Sequence, residues 1–361
     1  MADNQGDCSD TQRVMEIAWF THADHVPLDP MAAAIVLEID RLTSYDRRLA
    51  HDPPQVDLLR AIETDLVKAS GDPSADAEVA DVLIPGIGRP NGVRVRTYRP
   101  LTPGGGQLVL NVHGGGWCLG SVDAEDHWCR ALAAATGAVV VSVDYRLAPE
   151  HPYPAGLEDV SAALAWVLAE TDDLGVTASR VAVMGNSSGA NLATSACLWA
   201  RNHQVAQPAA MVLWYPALDD ALSSPSAREF ERGIGFTTGS IRRLWELYLG
   251  GAAPSEYAAP ARTPSVAGLP EALVITAEHD PLRDEGETFA RRLSLEGGRV
   301  QLRRFGGMPH GFIAHADRLE AARAAQELTF AFVRSLGEQG ERNAVGGHQD
   351  GRQVRPQARR T

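Results

Sequence analysis

Cysteine is scarce in this chain: Cys8, Cys118, Cys129 and Cys197 are the four among 361 residues, and no two stand in C-x-x-C spacing. Neither a zinc site nor a disulfide framework is expected, and a reducing, cytoplasmic setting fits. Positive charge is in deficit, with 33 Lys and Arg against 46 Asp and Glu and a net charge of −13. That balance argues against nucleic acid or anionic membrane as partners, since both need a positive surface. No uncharged apolar run is long enough to span a bilayer. The opening "MADNQGDCSDTQR" lacks the apolar region of a secretory signal. Internal repeats are missing, and residues 338–361 hold almost no apolar side chains, so a disordered tail is expected there.

What the chain does have is 44% hydrophobic residues, enough to bury a large core. Eight short segments rich in branched residues read as strands: "VADVLIP", "GVRVRTYRP", "QLVLNVH", "AVVVSVDY", "RVAVMG", "AAMVLWYP", "ALVITAEHD" and "RVQLRRF". Helical patterns fall between the later ones, at 125–136, 156–170, 188–202 and 285–296. Such alternation predicts an α/β fold with a mostly parallel eight-stranded sheet and helices on both faces. The first strands follow one another without helices, so that edge is expected to be antiparallel. The catalytic core is assigned to 76–337. Two helical patterns at 31–69, within an N-terminal segment 1–75, and an insertion at 219–262 carrying "IRRLWELYLGG" are expected to form a helical cap.

The chemistry centres on "VAVMGNSSGANLA", residues 181–193. An apolar strand runs into an Ala- and Leu-rich helix, with Gly185-Asn186-Ser187-Ser188-Gly189 at the junction. That is a G-x-S-x-G nucleophile elbow, in which small neighbours permit a strained turn. The frame selects Ser187 as nucleophile, and Ser188 can offer its backbone N–H to an oxyanion. A polar turn capping the following helix is the plainer alternative, so the motif needs partners. Asp280 stands just past a strand end in "TAEHDPLRDEG", and His310 stands in the Gly-rich turn of "GMPHGF". Asp284 and Glu285 compete with Asp280 but fall inside the start of the next helix. The order Ser187, Asp280, His310 is that of the α/β-hydrolase triad.

A fourth element is "NVHGGGW", residues 111–117, where consecutive glycines expose backbone N–H groups. A phosphate-cradling loop is the rival, yet no Lys or Ser/Thr follows at P-loop spacing. Trp117 is expected to line a substrate pocket, and Asn186, beside the nucleophile, is assigned to substrate binding.

These motifs, with "DYRLAPEHPYPAGLEDV" at 144–160, "HDPLRDEG" and "PHGF", resemble the hormone-sensitive-lipase branch of the α/β-hydrolase esterases over about residues 31–335. The resemblance implies that Gly115 and Gly116 join Ser188 in donating N–H groups to an oxyanion, and that the N-terminal helices form part of a cap. The branch commonly reads G-D-S-A-G-G at the elbow, where this chain has Asn186, Ser188 and Ala190. The expectation is a serine hydrolase that cleaves a small-molecule carboxylic ester through an acyl-enzyme, with no metal or cofactor. A homodimer is compatible with the sequence. Two other readings stay open: a tailoring enzyme using the same triad for amide deacylation, lactone formation or elimination, and a non-catalytic small-molecule receptor on this scaffold.

Overall fold

The computed structural model describes residues 26–69, 77–233 and 235–336. Expectations for Cys8, the first 25 residues and the tail at 338–361 lie outside the described residues.

Three helices come first: α1 (Pro30–Thr43), α2 (Tyr45–Leu49) and α3 (Val56–Ala69). Asp29 starts α1 by accepting the Met31 and Ala32 N–H groups at 2.8 and 3.0 Å, and Pro30 fills the first turn, where no donor is needed. Ser44, in the left-handed region, breaks the pattern and separates α1 from α2. Strands β1 (Ala77–Gly86), β2 (Arg89–Pro100) and β3 (Leu108–Val112) follow, then α4 (Asp126–Thr136) and β4 (Val139–Val143). Next come α5 (Ala155–Ala169), α6 (Thr171–Leu174), β5 (Val181–Asn186), α7 (Ser188–Asn202) and β6 (Ala210–Trp214). After α8 (Pro225–Glu229) and α9 (Thr238–Leu249) the chain forms β7 (Glu271–His279), α10 (Arg283–Leu295), β8 (Val300–Pro309) and α11 (Glu320–Arg334).

The strands form one eight-stranded sheet in the order β1-β2-β4-β3-β5-β6-β7-β8. The β1–β2 and β2–β4 pairs are antiparallel and the rest are parallel. The direct β1–β2 connection explains the first pair, whereas β3 does not pair with β2 and instead lies between β4 and β5. Central strands β3 to β6 are buried except for the terminal Asn186 of β5, which explains their continuous Val, Leu and Met runs. Successive residues still take opposite faces: Leu108, Leu110 and Val112 pack with α5 and α7 residues, while Val109 packs with Cys129 and Leu132 of α4. Helix α11 is absent from the sequence reading. Its Ala322, Ala325, Phe330 and Val333 cover the same face as α4. Strand β8 also runs further than "RVQLRRF", through Gly306 and Gly307 to Pro309, and an irregularity in the β7–β8 register brings His279 opposite Pro309. Among the described residues, no helix is long and apolar enough to cross a membrane.

The stretch after β4 is locked by a buried ion pair. The Asp159 carboxylate, fully buried on α5, accepts from Arg146 N and Nε at 2.9 Å, from Arg146 Nη2 at 3.0 Å and from Arg89 Nη1 at 3.1 Å. Replacing it with alanine takes the carboxylate from Arg89 and leaves Arg146 with Glu158 and the Ala155 carbonyl, so Asp159→Ala is expected to cost about 3 kcal/mol, read as a lower urea midpoint.

Candidate active site

Ser187 sits at the turn between β5 and α7 with φ 53° and ψ −119°, a conformation non-glycine residues rarely adopt. The surrounding structure holds it there: Ser187 N–H donates to Trp214 O at 2.9 Å, while Asn191 and Ala217 N–H donate to Ser187 O. The flanking glycines are sterically required. A Cβ on Gly185 would stand 2.3 Å from Gly189 C, and one on Gly189 would stand 2.1 Å from Val112 O.

The ends of β7 and β8 bring two more groups to this turn. His310 Nε2 lies 3.1 Å from Ser187 Oγ, and His310 Nδ1 lies 2.7 Å from Asp280 Oδ2. Asp280 is fully buried, and its Oδ1 accepts the Leu282 N–H at 2.8 Å, so both oxygens are held. Glu278, two residues upstream, accepts the Gly307 N–H at 2.8 Å and ties the approach to His310 onto β7. The competing acids are engaged elsewhere. Burial pushes the Asp284 carboxyl up, but the Arg283 guanidinium, 2.8 Å away, outweighs this and holds it below the usual range. Asp284 also accepts the Ser226 N–H at 2.7 Å. Glu285 accepts the Leu218 and Asp219 N–H groups at 2.6 and 3.2 Å, and burial drives its pKa well above that of an ordinary carboxyl.

The loop after β3 faces the same turn. Gly115 and Gly116 have φ of +111° and +60°, so glycine is needed at both. Among the described residues, no acceptor meets the N–H of Gly115 or of Gly116, so both donors stay available. Ser188 opens α7, where a helix leaves its first N–H groups without intrahelical partners.

Two expectations for this region are corrected. Trp117 does not line a pocket: it is 1% exposed, its ring stacks on Tyr248 at 4.5 Å, and its Nε1 donates to Asn191 Oδ1 at 3.3 Å. The tight loop turns the ring inward, into the core. Asn186 does not face a substrate space either. Its Nδ2 donates to Glu125 Oε1 at 2.8 Å, and its Oδ1 is buried against Gly114.

Aromatic residues that the sequence reading missed surround the imidazole. Phe236 stacks on His310 at 4.2 Å with an interplanar angle of 17°, and Tyr215 lies 4.7 Å from it. Phe236 carried no signal because its partner lies far along the chain. Above it, the Asp46 carboxylate of α2 accepts from Thr237 Oγ1 at 2.9 Å and from Ser240 Oγ. A side chain on Gly116 would strike Leu244 Cδ1 of α9 at 2.4 Å, so α9 roofs the glycine loop directly. Among the described residues, no group of three or more His, Cys, Asp or Glu is placed to hold a metal ion.

Comparison with known proteins agrees with this architecture. Residues 109–314 match a family described by the alpha/beta hydrolase fold. The chain is 34% identical over 311 residues to the carboxylic ester hydrolase LipN of Mycobacterium tuberculosis, covering 84% of this chain and 81% of that protein. Among solved structures, a bacterial heroin esterase superposes with a TM-score of 0.79 at 31% identity, covering 85% of this chain and 97% of its own. The hyperthermophilic esterase of the archaeon Pyrobaculum calidifontis gives a TM-score of 0.75 at 37% identity, over 86% and 98% of the two chains.

Proposed function

This chain belongs to the α/β-hydrolase fold family, in its hormone-sensitive-lipase-like branch, and from that premise we propose that it is a serine carboxylic ester hydrolase. The observation that carries the reading is the continuous Ser187–His310–Asp280 contact, 3.1 and 2.7 Å, beside two glycine N–H groups. His310 Nε2 takes the Ser187 proton as Oγ attacks the ester carbonyl. The N–H groups of Gly115, Gly116 and Ser188 receive the tetrahedral oxyanion. His310 then protonates the leaving alcohol, which departs as the acyl-enzyme forms. A water molecule gives a proton to the same nitrogen as it attacks the acyl carbon, and the adduct collapses to the acid as His310 returns that proton to Ser187 Oγ. Asp280 holds His310 with its Nδ1 proton pointing inward and stabilises the imidazolium.

The test is a hydrolysis series over p-nitrophenyl acetate, butyrate and octanoate, paired with fluorophosphonate labelling. Turnover with one label per chain supports the reading. A receptor on this scaffold would show neither. A tailoring enzyme would label but prefer an amide or a single complex ester.

Helices α1 and α2, together with α9, are proposed to act as the cap. Burial raises the Asp46 pKa, and that carboxylate links α2 to the segment carrying Phe236. Asp46→Ala is expected to raise KM on the octanoate ester on the order of 10-fold, from two lost hydrogen bonds to a charged group, while the acetate ester changes little. Equal effects on both esters would argue against a cap that senses acyl length.

A further inference from the structure

Three elements of the site meet at one carboxylate that the mechanism does not use. Glu125, the residue preceding α4, accepts from Asn111 Nδ2 of β3 at 2.7 Å, from Gly114 N of the glycine loop at 3.4 Å and from Asn186 Nδ2 of the elbow at 2.8 Å. Taking Ser187 as the acyl-transfer nucleophile, we propose that Glu125 is a positioning residue for that chemistry: it clamps the oxyanion loop to the nucleophile elbow, and it demands an amide at position 186.

The chemistry of the donor set carries this. A carboxylate only accepts, so its partner at 186 must present N–H, and the Asn186 amide is fixed with Nδ2 toward Glu125. The Asn186 Oδ1 is left without a partner, and a Cβ on Gly114 would stand 2.3 Å from it. The loop therefore rests directly on the elbow side chain, at the residue preceding Ser187. Movement of Glu125 reaches Gly115 through Gly114 and reaches Ser187 through Asn186. Oxyanion donors act only when held at a fixed distance from the reacting carbon, so this junction sets their alignment.

The groups shifted by the Glu125 charge all titrate as acids. Cys129 of α4, Tyr145 beyond β4 and Tyr215 beyond β6 all feel it. Burial drives each of their pKa values up and the Glu125 charge adds to the rise, so all three stay neutral. Tyr145 donates its O–H to His113 O at 2.9 Å, and His113 Nδ1 lies 2.8 Å from Gly114 O. Glu125 forms no ion pair with Arg or Lys among the described residues. A second carboxylate at 186 would therefore lie within hydrogen-bond distance of Glu125 with nothing to neutralise either, and the two would share one proton.

The experiment compares Asn186→Asp, Glu125→Gln and the double variant by kcat and KM on p-nitrophenyl butyrate across pH 6–9, with thermal midpoints alongside. Asn186→Asp is expected to lower kcat on the order of 100-fold at pH 8, comparable to loss of an oxyanion donor, with KM nearly unchanged. Its kcat relative to wild type should fall further as pH rises and the shared proton leaves. Glu125→Gln alone should lower kcat about 10-fold, because its NH2 end faces a donor, either Asn111 Nδ2 or Asn186 Nδ2, and that charge-assisted hydrogen bond is lost. In the double variant, the amide introduced at position 125 can donate to the new carboxylate at 186, so most of the rate returns and the pH trend disappears. Asn186→Asp matching wild type at every pH would overturn the proposal. So would a folded double variant no faster than Asn186→Asp. If Asn186→Asp fails to fold, the decision passes to Glu125→Gln, where an unchanged kcat overturns it. A wild-type protein inert to esters and to fluorophosphonate would instead remove the acyl-transfer reading, and the positioning role with it.

Discussion

Ser187→Ala is expected to lower kcat on ester substrates by about 10⁶-fold, the loss seen when a triad nucleophile is removed, and to abolish fluorophosphonate labelling. Without Oγ no acyl-enzyme can form, and His310 Nε2, 3.1 Å from that atom, has no proton to accept. The fold should survive, because the elbow is held by backbone contacts from Trp214, Asn191 and Ala217 and not by the hydroxyl. Alanine keeps the strained φ of 53° with a smaller side chain, so the thermal midpoint should not fall. Ser188→Ala is the matched control. Its proposed role is a backbone N–H, which alanine retains, so part of the turnover and labelling should persist. Labelling that survives in Ser187→Ala and disappears in Ser188→Ala would move the nucleophile by one residue.

Asp280→Asn carries the second largest expected loss, about 10⁴-fold in kcat with KM little changed. The Asp280 carboxylate accepts from His310 Nδ1 at 2.7 Å and from Leu282 N at 2.8 Å. An amide offers one acceptor oxygen and one NH2, so it cannot accept from both. If its NH2 faces the ring, His310 must carry its proton on Nε2, where it cannot receive one from Ser187. The developing imidazolium also loses its buried counter-charge. Asp284→Asn should be far milder for kcat, since that carboxylate serves Arg283 and Ser226 N. The reverse ranking of the two variants would reassign the acid.

Much of this arrangement is legible in the sequence because local rules and tertiary demands coincide. The Val-rich runs of β3 to β6 read as buried strands, since strands covered on both faces need no polar alternation. Gly185 and Gly189 mark the elbow, because no side chain fits between β5, α7 and Val112. Other features depend on contacts far apart in sequence. Trp117 follows the glycines and invites a substrate role, yet Tyr248, Trp245 and Asn191 claim its ring. Asn186 adjoins Ser187, yet a strand-end residue alternates sides, and its side chain drops to Glu125. Glu125 itself looks like an ordinary acidic residue before a helix. Helix α11 is plainly amphipathic, with Ala322, Ala325, Phe330 and Val333 at helical spacing, so its signal is present in the sequence though absent from the sequence reading; α4 lies on the same face of the sheet.

The contact between Leu244 of α9 and Gly116 ties two parts of the molecule that serve different ends. A change in the proposed cap would alter substrate contacts, while a change in the proposed oxyanion loop would alter the reaction itself. Here the two are not separate lineages of change. A bulkier residue at 244 would press on the backbone proposed to hold the oxyanion, and a residue with any side chain at 116 would first need 244 to shrink. Substrate range in this chain is therefore expected to diversify through the faces of α9 turned away from Gly116, and through α1 and α2, with position 244 left as the hinge on which innovation and catalysis must agree.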